Sequence, residues 1–403
     1  MSNVLTKNKT STNEGYKKTK LGWIPEEWKV FNLEELGEFS KGKGIAKKDI
    51  LENDSEGYPS IRYAEIYTSY NYYTHSLKTK VNGESVKNSN PITYGDILFA
   101  GSGETLEDIG KSIAYLGNEV AYAGGDIIIL KQNSQHSQYL GYLLNNDIVR
   151  NQLFKLGQGH SVVHIYSSGL KKVKIVLPPF TEQQKIAQIL STWDKAIALQ
   201  EQLITQKQAL KKGLMQDLLT GKKRFPGFEE EWEEVKLGDI FTIKNGKDYK
   251  HLGNGEIPVY GTGGIMTYVD SFLYNGESVG IGRKGTIDKP FYLKGKFWTV
   301  DTLFYCVSFK SCIPKYLYYL FNTINWKTYN EASGVPSLSQ STIKSIKIRI
   351  PKISEQQKIA SVLSNFDIEI EKLITHKKSL IQQKQGLMQQ LLCGEKRVKI
   401  LKR

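Results

Sequence analysis

Two short motifs in the first half of the chain have the form used for methyl transfer. Phe99-Ala-Gly-Ser-Gly103 matches the FxGxG loop with which methyltransferases hold S-adenosylmethionine, and Leu177-Pro-Pro-Phe180 is close to the [DNS]PP[FY] motif of amino-methyltransferases. Those enzymes need Asp, Asn or Ser at the first position of the second motif, because that side chain accepts a hydrogen bond from the target amine. Leu177 cannot accept one, so the pair does not predict a cofactor site.

The other candidates for catalysis are incomplete. Gly110-Lys111-Ser112 ends like a phosphate-binding loop, but Thr105 stands where that loop needs its first glycine. Glu234-Val-Lys236 lies in an acidic run and belongs to no cluster of carboxylates suited to metal-assisted hydrolysis. His160 and His164 are four residues apart, and no third ligand is evident. We therefore expect no catalytic residue, metal site or cofactor in this chain.

Lysines beside glycines recur at matching places in the two halves. The first half reads Ser40-Lys-Gly-Lys-Gly44, and the second reads Lys244-Asn-Gly-Lys247. Glycine lets a backbone approach a ligand closely, and lysine neutralises phosphates. A solvated basic loop is the alternative for either copy alone, whereas the duplication favours phosphate contacts. The predicted phosphate contacts are Lys41, Lys43, Lys47, Lys48, Lys244, Lys247 and Lys250.

Several aromatic and cationic side chains are candidates for contacts with nucleic-acid bases. Tyrosines cluster in both halves; some must belong to the core, but each offers a stacking face and a hydroxyl. Arg283 stands on a glycine turn, and an arginine can hold guanine O6 and N7 with two hydrogen bonds. The predicted base or stacking contacts are Tyr63, Tyr67, His160, Tyr249, Tyr260, Thr262, Arg283 and Lys284.

The composition favours a polyanionic partner. Among 403 residues, 55 Lys+Arg oppose 41 Asp+Glu and leave a formal net charge of +14, which suits nucleic acid but does not by itself exclude a membrane surface. No apolar run approaches the ~20 residues that cross a bilayer, so we expect no membrane partner. Three cysteines without a CxxC pair exclude a disulfide scaffold and a cysteine zinc site, and fit a cytoplasmic protein.

The chain is an internal repeat. TEQQKIA at 181–187 returns as SEQQKIA at 354–360, and GLMQDLLTG at 213–221 returns at the same spacing as GLMQQLLCG at 386–394. At the front of each half, W-x4-LEELGEFSKGK matches W-x4-LGDIFTIKNGK. Repeats of this length indicate duplication of a whole domain with its connector rather than a solenoid.

The repeated tails predict long helices over 181–219 and 354–392. Neither stretch contains proline, and each begins after proline and ends before glycine. Apolar residues recur at heptad spacing, which favours pairing of the two helices over two separate surface helices. The residues predicted to pack the helix pair are Ile186, Leu190, Trp193, Ile197, Ile359, Leu363, Phe366 and Ile370.

The blocks in front of the helices predict mixed α+β modules. Runs of β-branched and aromatic residues alternate with Gly, Asn and Ser clusters and predict strands; they are DIIILK at 126–131, FWTVDTLFYCV at 297–307 and IKSIKIRI at 343–350. Helices are predicted near 139–153 and 314–326. The predicted fold class is α+β, with two duplicated domains separated and followed by long helices that pair as an antiparallel coiled coil.

This arrangement strongly resembles the specificity subunits of type I restriction–modification systems. The resemblance rests on the P-x2–3-EQQKIA-x2-L motif that opens a heptad helix twice, and it covers the chain from Leu21 to Arg397. It implies target recognition domains at 21–177 and 223–350 and spacer helices at 178–222 and 351–395. Outside these, residues 1–20 carry five Lys and one Glu and predict a flexible basic arm, and residues 396–403 form a basic tail.

The resemblance also implies a function and partners. The chain would be a non-catalytic subunit that reads double-stranded DNA, each domain binding half of a bipartite target. The helices would space the domains and dock two methyltransferase (modification) subunits, and restriction (motor-nuclease) subunits would join them. S-adenosylmethionine, ATP and Mg²⁺ would belong to those partners. Two alternatives remain: a DNA adenine methyltransferase or fused restriction–modification enzyme, and a solitary regulator that binds a split operator.

Overall fold

The computed structural model describes residues 14–51, 56–159 and 162–399, and the chain divides into two compact units. The first unit comprises Met1–Ala198 and Lys378–Arg403, and the second comprises Leu199–Lys377. Each unit contains one module of mixed helix and sheet together with part of both long helices. The α+β class predicted from the sequence is therefore found in both halves.

The first module is built from short elements. Its helices are α1 Tyr63–Thr68, α2 Gly83–Val86, α3 Ser137–Leu143, α4 Asp147–Phe154 and α5 Ser167–Leu170, with 3-10 turns at Leu33–Leu36 and Lys47–Asp49. Its strands are β1 Tyr16–Thr19, β2 Gly22–Pro25, β3 Lys29–Asn32, β4 Gly37–Lys41, β5 Tyr58–Ile61, β6 Tyr73–Thr74, β7 Thr79–Val81, β8 Asn90–Ile92, β9 Ile97–Ala100, β10 Ser102–Gly103, β11 Ser112–Tyr115, β12 Ala121–Ala123, β13 Ile127–Gln132, β14 Val163–His164 and β15 Lys174–Leu177.

Two sheets organise the first module. The main sheet has the strand order β4-β13-β9-β11-β6, and the second has the order β7-β5-β12-β8, with β5 and β12 parallel. Alternate residues of the main sheet point to two different cores. Phe99 packs with α3 and α4 on one face, whereas Leu98 packs with the second sheet on the other. Because both faces are covered, β9 and β13 read as continuous apolar runs.

The second module repeats this plan with fewer elements. Its helices are α7 Leu237–Ile240, α8 Pro314–Phe321 and α9 Gln340–Ser345, with a 3-10 turn at Trp326–Tyr329. Its strands are β16 Glu233–Lys236, β17 Thr242–Asn245, β18 Asn254–Gly261, β19 Gly264–Val269, β20 Tyr274–Asn275, β21 Ser278–Gly282, β22 Phe291–Leu293, β23 Lys296–Thr299, β24 Leu303–Val307 and β25 Lys347–Ile350. The order β17-β24-β21-β22 corresponds to β4-β13-β9-β11, and the order β19-β18-β23-β20 keeps the parallel central pair.

Two long helices of 40 residues confirm the prediction from the repeated tails. They are α6 Phe180–Leu219 and α10 Ile353–Leu392, each beginning one residue before the predicted start. Both are followed by a glycine in the left-handed region, with φ of 72° at Gly221 and 76° at Gly394. That conformation ends helices, and it is why glycine closes both copies of the motif.

The sequence-based strand assignment is wrong in two places. The first three residues of IKSIKIRI belong to helix α9, Gln340–Ser345, which the Ser339 hydroxyl caps by accepting a hydrogen bond from the N–H of Thr342, and only Lys347–Ile350 are extended. The run FWTVDTLFYCV forms two strands, Lys296–Thr299 and Leu303–Val307, which belong to different sheets. The prediction of a single strand failed because apolar residues on both sides of the turn between Thr299 and Leu303 look like one continuous run in the sequence.

Ordered structure also begins before the predicted end of the basic arm at residue 20. Tyr16–Thr19 pair with Gly22–Pro25 in an antiparallel hairpin. The Tyr16 hydroxyl donates a hydrogen bond to the carbonyl of Gly394 at 2.8 Å. The flexible arm predicted at 1–20 is therefore corrected for residues 16–19, while residues 1–13 lie outside the described residues.

A buried carboxylate joins the first module to both long helices. Glu182, in the first turn of α6, is fully buried. Its side chain accepts hydrogen bonds from Trp28 Nε1 at 3.1 Å and from Arg397 Nε at 2.7 Å. Trp28 opens the W-x4-L motif, and Arg397 follows the glycine that ends α10. Because a buried carboxylate is stable only when it is paired and hydrogen-bonded, these three segments must meet.

The second unit contains the same arrangement. Glu355, in the first turn of α10, accepts hydrogen bonds from Trp232 Nε1 at 3.2 Å and from Arg224 Nε at 3.0 Å. A Cβ atom placed on Gly221 would lie 3.5 Å from the Trp232 ring, so the end of α6 rests on this tryptophan. In each unit the segment that follows one long helix thus binds the first turn of the other.

The glutamine after each buried glutamate fixes the long helix to the loop that follows a main-sheet strand, β13 in the first module and β24 in the second. Gln183 accepts a hydrogen bond from the backbone N–H of His136 at 3.0 Å and donates to the carbonyl of Pro178 at 3.0 Å. Gln356 does the same with Ile313, at 3.0 Å, and with Pro351, at 2.8 Å. The repeated EQQ triplet is therefore a structural connection between helix and sheet.

We predict that Arg397→Met destabilises the first unit. The substitution leaves Glu182 buried with only the Trp28 donor, which should lower the free energy of unfolding of this unit by about 2–4 kcal/mol. Amide hydrogen exchange in β9 and β13 measures it, with amides of β21 and β24 as the internal reference. Lys396→Met, at the exposed neighbouring position, is the matched control and should leave hydrogen exchange unchanged in both units. An equal loss in both units, or none, would contradict the assigned role.

Candidate nucleic-acid interface

The main sheet of each module has one end at a long helix and an open end. In the first module β13 runs from Ile127 to Gln132, about 17 Å at ~3.3 Å per residue. Beyond Gln132, His136 reaches α6 through Gln183. At the other end of the sheet, next to Asp126, strands β4 and β9 end and strand β13 begins, and these strand ends border a cleft. The second module has its cleft at the corresponding end of β24.

The cleft of the second module is the larger one, with a volume of about 740 Å³. Four separate segments line it: the end of β17, the turn after β21, the turn before β24 and the loop at 331–340. Its polar side chains include hydrogen-bond donors and acceptors, and Gln340 Nε2 donates to Asn245 Oδ1 at 2.9 Å. Amide, guanidinium and carboxylate groups are the side chains that distinguish base edges.

Backbone hydrogen bonds hold the turn that carries Arg283. Its N–H donates to the carbonyl of Thr302 at 2.8 Å, and its carbonyl accepts from the N–H of Leu338 at 2.9 Å. The turn continues through Gly285, whose φ of 96° favours glycine. The Arg283 side chain is exposed at the cleft, with one guanidinium nitrogen 3.4 Å from the carbonyl of Asp301. The backbone is thus fixed while the guanidinium faces solvent.

The two glycine–lysine loops have the same geometry. The N–H of Lys43 donates to the carbonyl of Ala123 at 3.0 Å, and that of Lys247 donates to the carbonyl of Thr299 at 2.8 Å. A Cβ atom on the glycine before each lysine would lie 2.1 and 2.0 Å from a backbone carbonyl oxygen. Close packing of the chain on itself therefore requires these glycines, and it places both lysines at the open end of their module.

The cleft of the first module is smaller, about 180 Å³. Lys41 and Asp126, which form an ion pair of 3.2 Å, are part of its lining. His164 also lines the cleft, with its Nδ1 hydrogen-bonded to the Ser102 hydroxyl at 2.8 Å, and the lining residue Tyr166 is exposed. The first module therefore presents a different set of groups from the second at the same place.

Buried Arg150 positions the loop that follows β10. Its guanidinium donates to the carbonyl of Ile109 at 2.8 Å and to that of Glu107 at 2.7 Å. Burial lowers the pKa of Arg150 to about 10, so the side chain stays protonated at neutral pH. The loop is held in place by a charged group that takes no direct part in the open cleft.

The structure places all predicted phosphate contacts at exposed positions. They are Lys41 at the end of β4, Lys43 after it, Lys47 and Lys48 in a 3-10 turn, Lys244 in β17, and Lys247 and Lys250 after β17. Of these, Lys41 is paired with Asp126. Phosphate contact by these residues remains a prediction.

The predicted aromatic contacts are partly used for packing. Tyr63 and Tyr67 lie on α1 and pack against the core between the sheets, with ring centroids 6.4 Å apart. Tyr260 packs beside Phe297, and burial raises its pKa. Tyr249 packs with the second sheet of its module, and Thr262 and Lys284 lie on neighbouring turns; His160 lies outside the described residues.

Four polar residues of the larger cleft were not anticipated from the sequence. Asp301, Glu331 and Gln340 are isolated polar residues in separate segments that no local motif marks, and Asn245 lies within the Lys244-Asn-Gly-Lys247 motif, in which only the lysines are predicted contacts. The strand registers align Asp126 of the first module with Thr302, the residue after Asp301, so the repeat marks this turn but not Asp301 itself. Only the pairing of distant strands shows that the four are neighbours.

The motifs that resemble methyl-transfer sites have structural explanations. A Cβ atom on Gly101 would lie 2.7 Å from the carbonyl oxygen of Asp126, and one on Gly103 would lie 2.6 Å from Asp108 Cβ. Leu177 ends β15, and the prolines after it precede the first residue of α6. Glycine and proline in both motifs therefore serve packing and helix initiation.

The described residues, 14–51, 56–159 and 162–399, contain neither a candidate metal site nor a membrane-spanning helix. No group of three or more His, Cys, Asp or Glu side chains there could hold a metal ion. No helix in these ranges has the length and apolar character needed to span a bilayer.

Comparison with known proteins identifies the family. The profile of the type I restriction modification DNA specificity domain matches residues 25–207 and 229–383. A putative type I restriction enzyme MjaX specificity subunit of Methanocaldococcus jannaschii is 29% identical over 429 residues, covering 96% of this chain and 97% of the relative. The MjaVIII specificity subunit of the same organism is 26% identical, covering 94% and 95%.

Solved structures agree on the fold. The crystal structure of the type I restriction–modification S subunit of M. genitalium superposes with a TM-score of 0.60 at 18% identity, covering 91% of this chain and 96% of that one. A chain from a structure of type I restriction–modification complex assembly gives a TM-score of 0.61 at 16% identity, covering 93% and 99%. The resemblance seen in the repeated motifs is confirmed: this chain belongs to the type I restriction–modification DNA specificity family.

Proposed function

We propose that this chain is the non-catalytic specificity subunit of a type I restriction–modification complex and that each module reads one half of a bipartite double-stranded DNA target. The observation that carries the proposal is the duplicated open end. Each module combines a cleft of hydrogen-bonding groups with an exposed glycine–lysine loop, and the lining residues differ between the modules. Two related but unequal clefts suit two different half-sites.

The exposed lysines would provide most of the affinity and the cleft groups the specificity. Phosphate contacts neutralise the backbone and release counterions without regard to sequence, whereas base edges are read by hydrogen bonds and apolar contacts in the grooves. The formal net charge of +14 supports a polyanionic partner. In this view Arg283 reads a guanine, because its backbone is fixed and its guanidinium is exposed.

The long helices would pair as an antiparallel coiled coil. Within the first unit, Lys384 of α10 bonds to Asp194 of α6, which also accepts from the Tyr142 hydroxyl. Within the second unit, Lys211 of α6 and Asp367 of α10 form the same kind of pair, and Gln200 Nε2 donates to the carbonyl of Leu373 at 3.0 Å. These contacts support pairing of opposite helix ends in each unit.

The predicted apolar stripe agrees with such pairing, although part of it also packs on the modules. Ile186 and Leu190 lie in the core of the first module together with Leu391 of α10. Ile359 and Leu363 occupy the corresponding core of the second module. Ile370 is buried, and the remaining stripe residues are half-buried: Trp193, Ile197 and Phe366.

The proposed partners follow from this assignment. The exposed faces of the helices would dock two methyltransferase subunits, and restriction subunits would join that core. S-adenosylmethionine, ATP and Mg²⁺ would be used by these partners. Support within this chain comes from Leu177, which cannot accept a hydrogen bond from a target amine, and from the packing roles of the glycines and prolines in the FxGxG and LPPF motifs.

The proposal predicts a bipartite target that needs both modules. The chain, purified with its methyltransferase partner, is used to select DNA from a randomised library and to mark adenines in it. We expect two fixed half-sites separated by an unspecified gap. Replacing residues 223–350 with the corresponding block of a relative should change one half-site only. Methyl transfer by the chain alone, or a single contiguous target, would overturn the proposal.

Arg283→Ala should relax one base pair of the half-site read by the second module. Loss of a bidentate contact to guanine is expected to cost about 1–3 kcal/mol at that position and little elsewhere. Selection from the same library measures it. Arg349→Ala is the control, since Arg349 is also exposed but lies on β25, outside the cleft lining. An unchanged preference at every position contradicts the role of Arg283.

Lys43→Ala should weaken binding to all sequences alike. Removing one phosphate contact reduces the slope of log affinity against log salt concentration by about 1. Binding to target and non-target duplexes between low and moderate salt measures this slope. The control is Lys29→Ala on β3, an exposed lysine outside the glycine–lysine loop. A change in sequence preference, or an unaltered slope, would show that Lys43 contacts no phosphate.

A further inference from the structure

The two modules differ in the segment that follows the parallel strand of the second sheet. In the first module β5 is followed by helix α1. In the second module the corresponding strand, β18, turns back at Thr262 and Gly263 and pairs with β19 as a hairpin. The parallel pairs themselves correspond, β5 with β12 and β18 with β23. A framework shared by the two modules thus carries a different element at one place.

The hairpin exposes apolar side chains at a bulge. Tyr260 pairs with Ile265, and Val259 pairs with Thr267, so Met266 is the extra residue. Ile265 is 50% exposed and Met266 is 57% exposed. Bulges redirect side chains and are frequent beside functional sites. Strand β19 is also at the edge of its sheet, where exposed apolar side chains promote aggregation unless a partner covers them.

Packing places this hairpin beside the larger cleft. A Cβ atom on Gly261 would lie 2.5 Å from Met266 Sδ and 3.7 Å from the side chain of Val300, the residue before Asp301 of the cleft. A Cβ atom on Gly285 would lie 3.5 Å from the Thr262 hydroxyl, so the hairpin tip adjoins the turn that carries Arg283. The apolar pair therefore borders the groups proposed to bind base edges.

We propose that Ile265 and Met266 contact the C5-methyl group of a thymine in the half-site read by the second module. This inference rests on the proposed function. In the major groove only a pair containing thymine presents an apolar group, and apolar side chains recognise it there. Lys247 and Lys284 are exposed on neighbouring segments, which suits a surface covered by DNA. The half-site then contains an A·T pair close to the pair read by Arg283.

Uracil substitution tests the contact directly, because uracil differs from thymine only in lacking the C5-methyl group. Duplexes carrying the selected target are prepared with each thymine of the half-site replaced in turn by uracil. For the wild-type complex we expect about fourfold weaker binding at one position, the effect of one buried methyl group. For Ile265→Asn/Met266→Gln, which leaves no methyl group at either position, thymine and uracil should bind equally at that position.

Two controls separate the possible outcomes. Val120→Thr removes an exposed apolar group of the first module and should keep the wild-type response to uracil. Both changed side chains are half-exposed, so the melting temperature should stay close to that of the wild type; if the double variant melts early, Met266→Gln alone is judged by the same measurement.

A half-site without an A·T pair, no position sensitive to uracil, or sensitivity that persists in the variants would overturn the thymine contact. Uniform weakening of all duplexes by the variants would overturn it as well. In each of these cases wild-type selection of a bipartite target would leave the proposed function standing. Failure of the wild-type complex to select such a target would instead refute the proposed function and the thymine contact with it.

Discussion

The buried glutamate at the start of each long helix is the interaction on which the rest of the fold depends. Glu182 and Glu355 are almost fully buried, and each is neutralised by an arginine and hydrogen-bonded by a tryptophan. A buried carboxylate without these partners would cost several kcal/mol. The module, the first turn of one helix and the segment that follows the other helix must therefore assemble together.

This constraint divides each module into an end that both modules share and an end at which they differ. At the helix end, the repeated tryptophan, glutamate, glutamine and terminal glycine all contact one another or the adjoining loops. At the opposite end of the main sheet the corresponding turns carry different groups: an ion pair and a serine–histidine pair in the first module, and Arg283 with the asparagine–glutamine pair in the second. The groups at this end can then differ without disturbing the attachment to the helices.

The glycines show how closely the chain packs at the open end of each module. The glycine before Lys43 and the one before Lys247 are needed because a carbonyl oxygen occupies the space of a side chain. The same tight approach holds each lysine beside its cleft. Tyrosine has a similar double use, since Tyr260 is half-buried against aromatic neighbours while it pairs with exposed Ile265 across the hairpin.

The sequence by itself determined the duplication, the α+β class, both long helices to within one residue, and the exposure of the glycine–lysine loops. These features are local or periodic: heptad spacing, helix-ending glycines and recurring motifs can be read along the chain. Only the tertiary structure decided that Asn245, Arg283, Asp301 and Gln340 border one cleft. It also decided which side chains line the smaller cleft of the first module and which tyrosines pack in the cores. The physical reason is that pairing of strands from distant parts of the chain brings their turns together at one end of the sheet. Packing then buries some side chains of these turns and leaves others exposed.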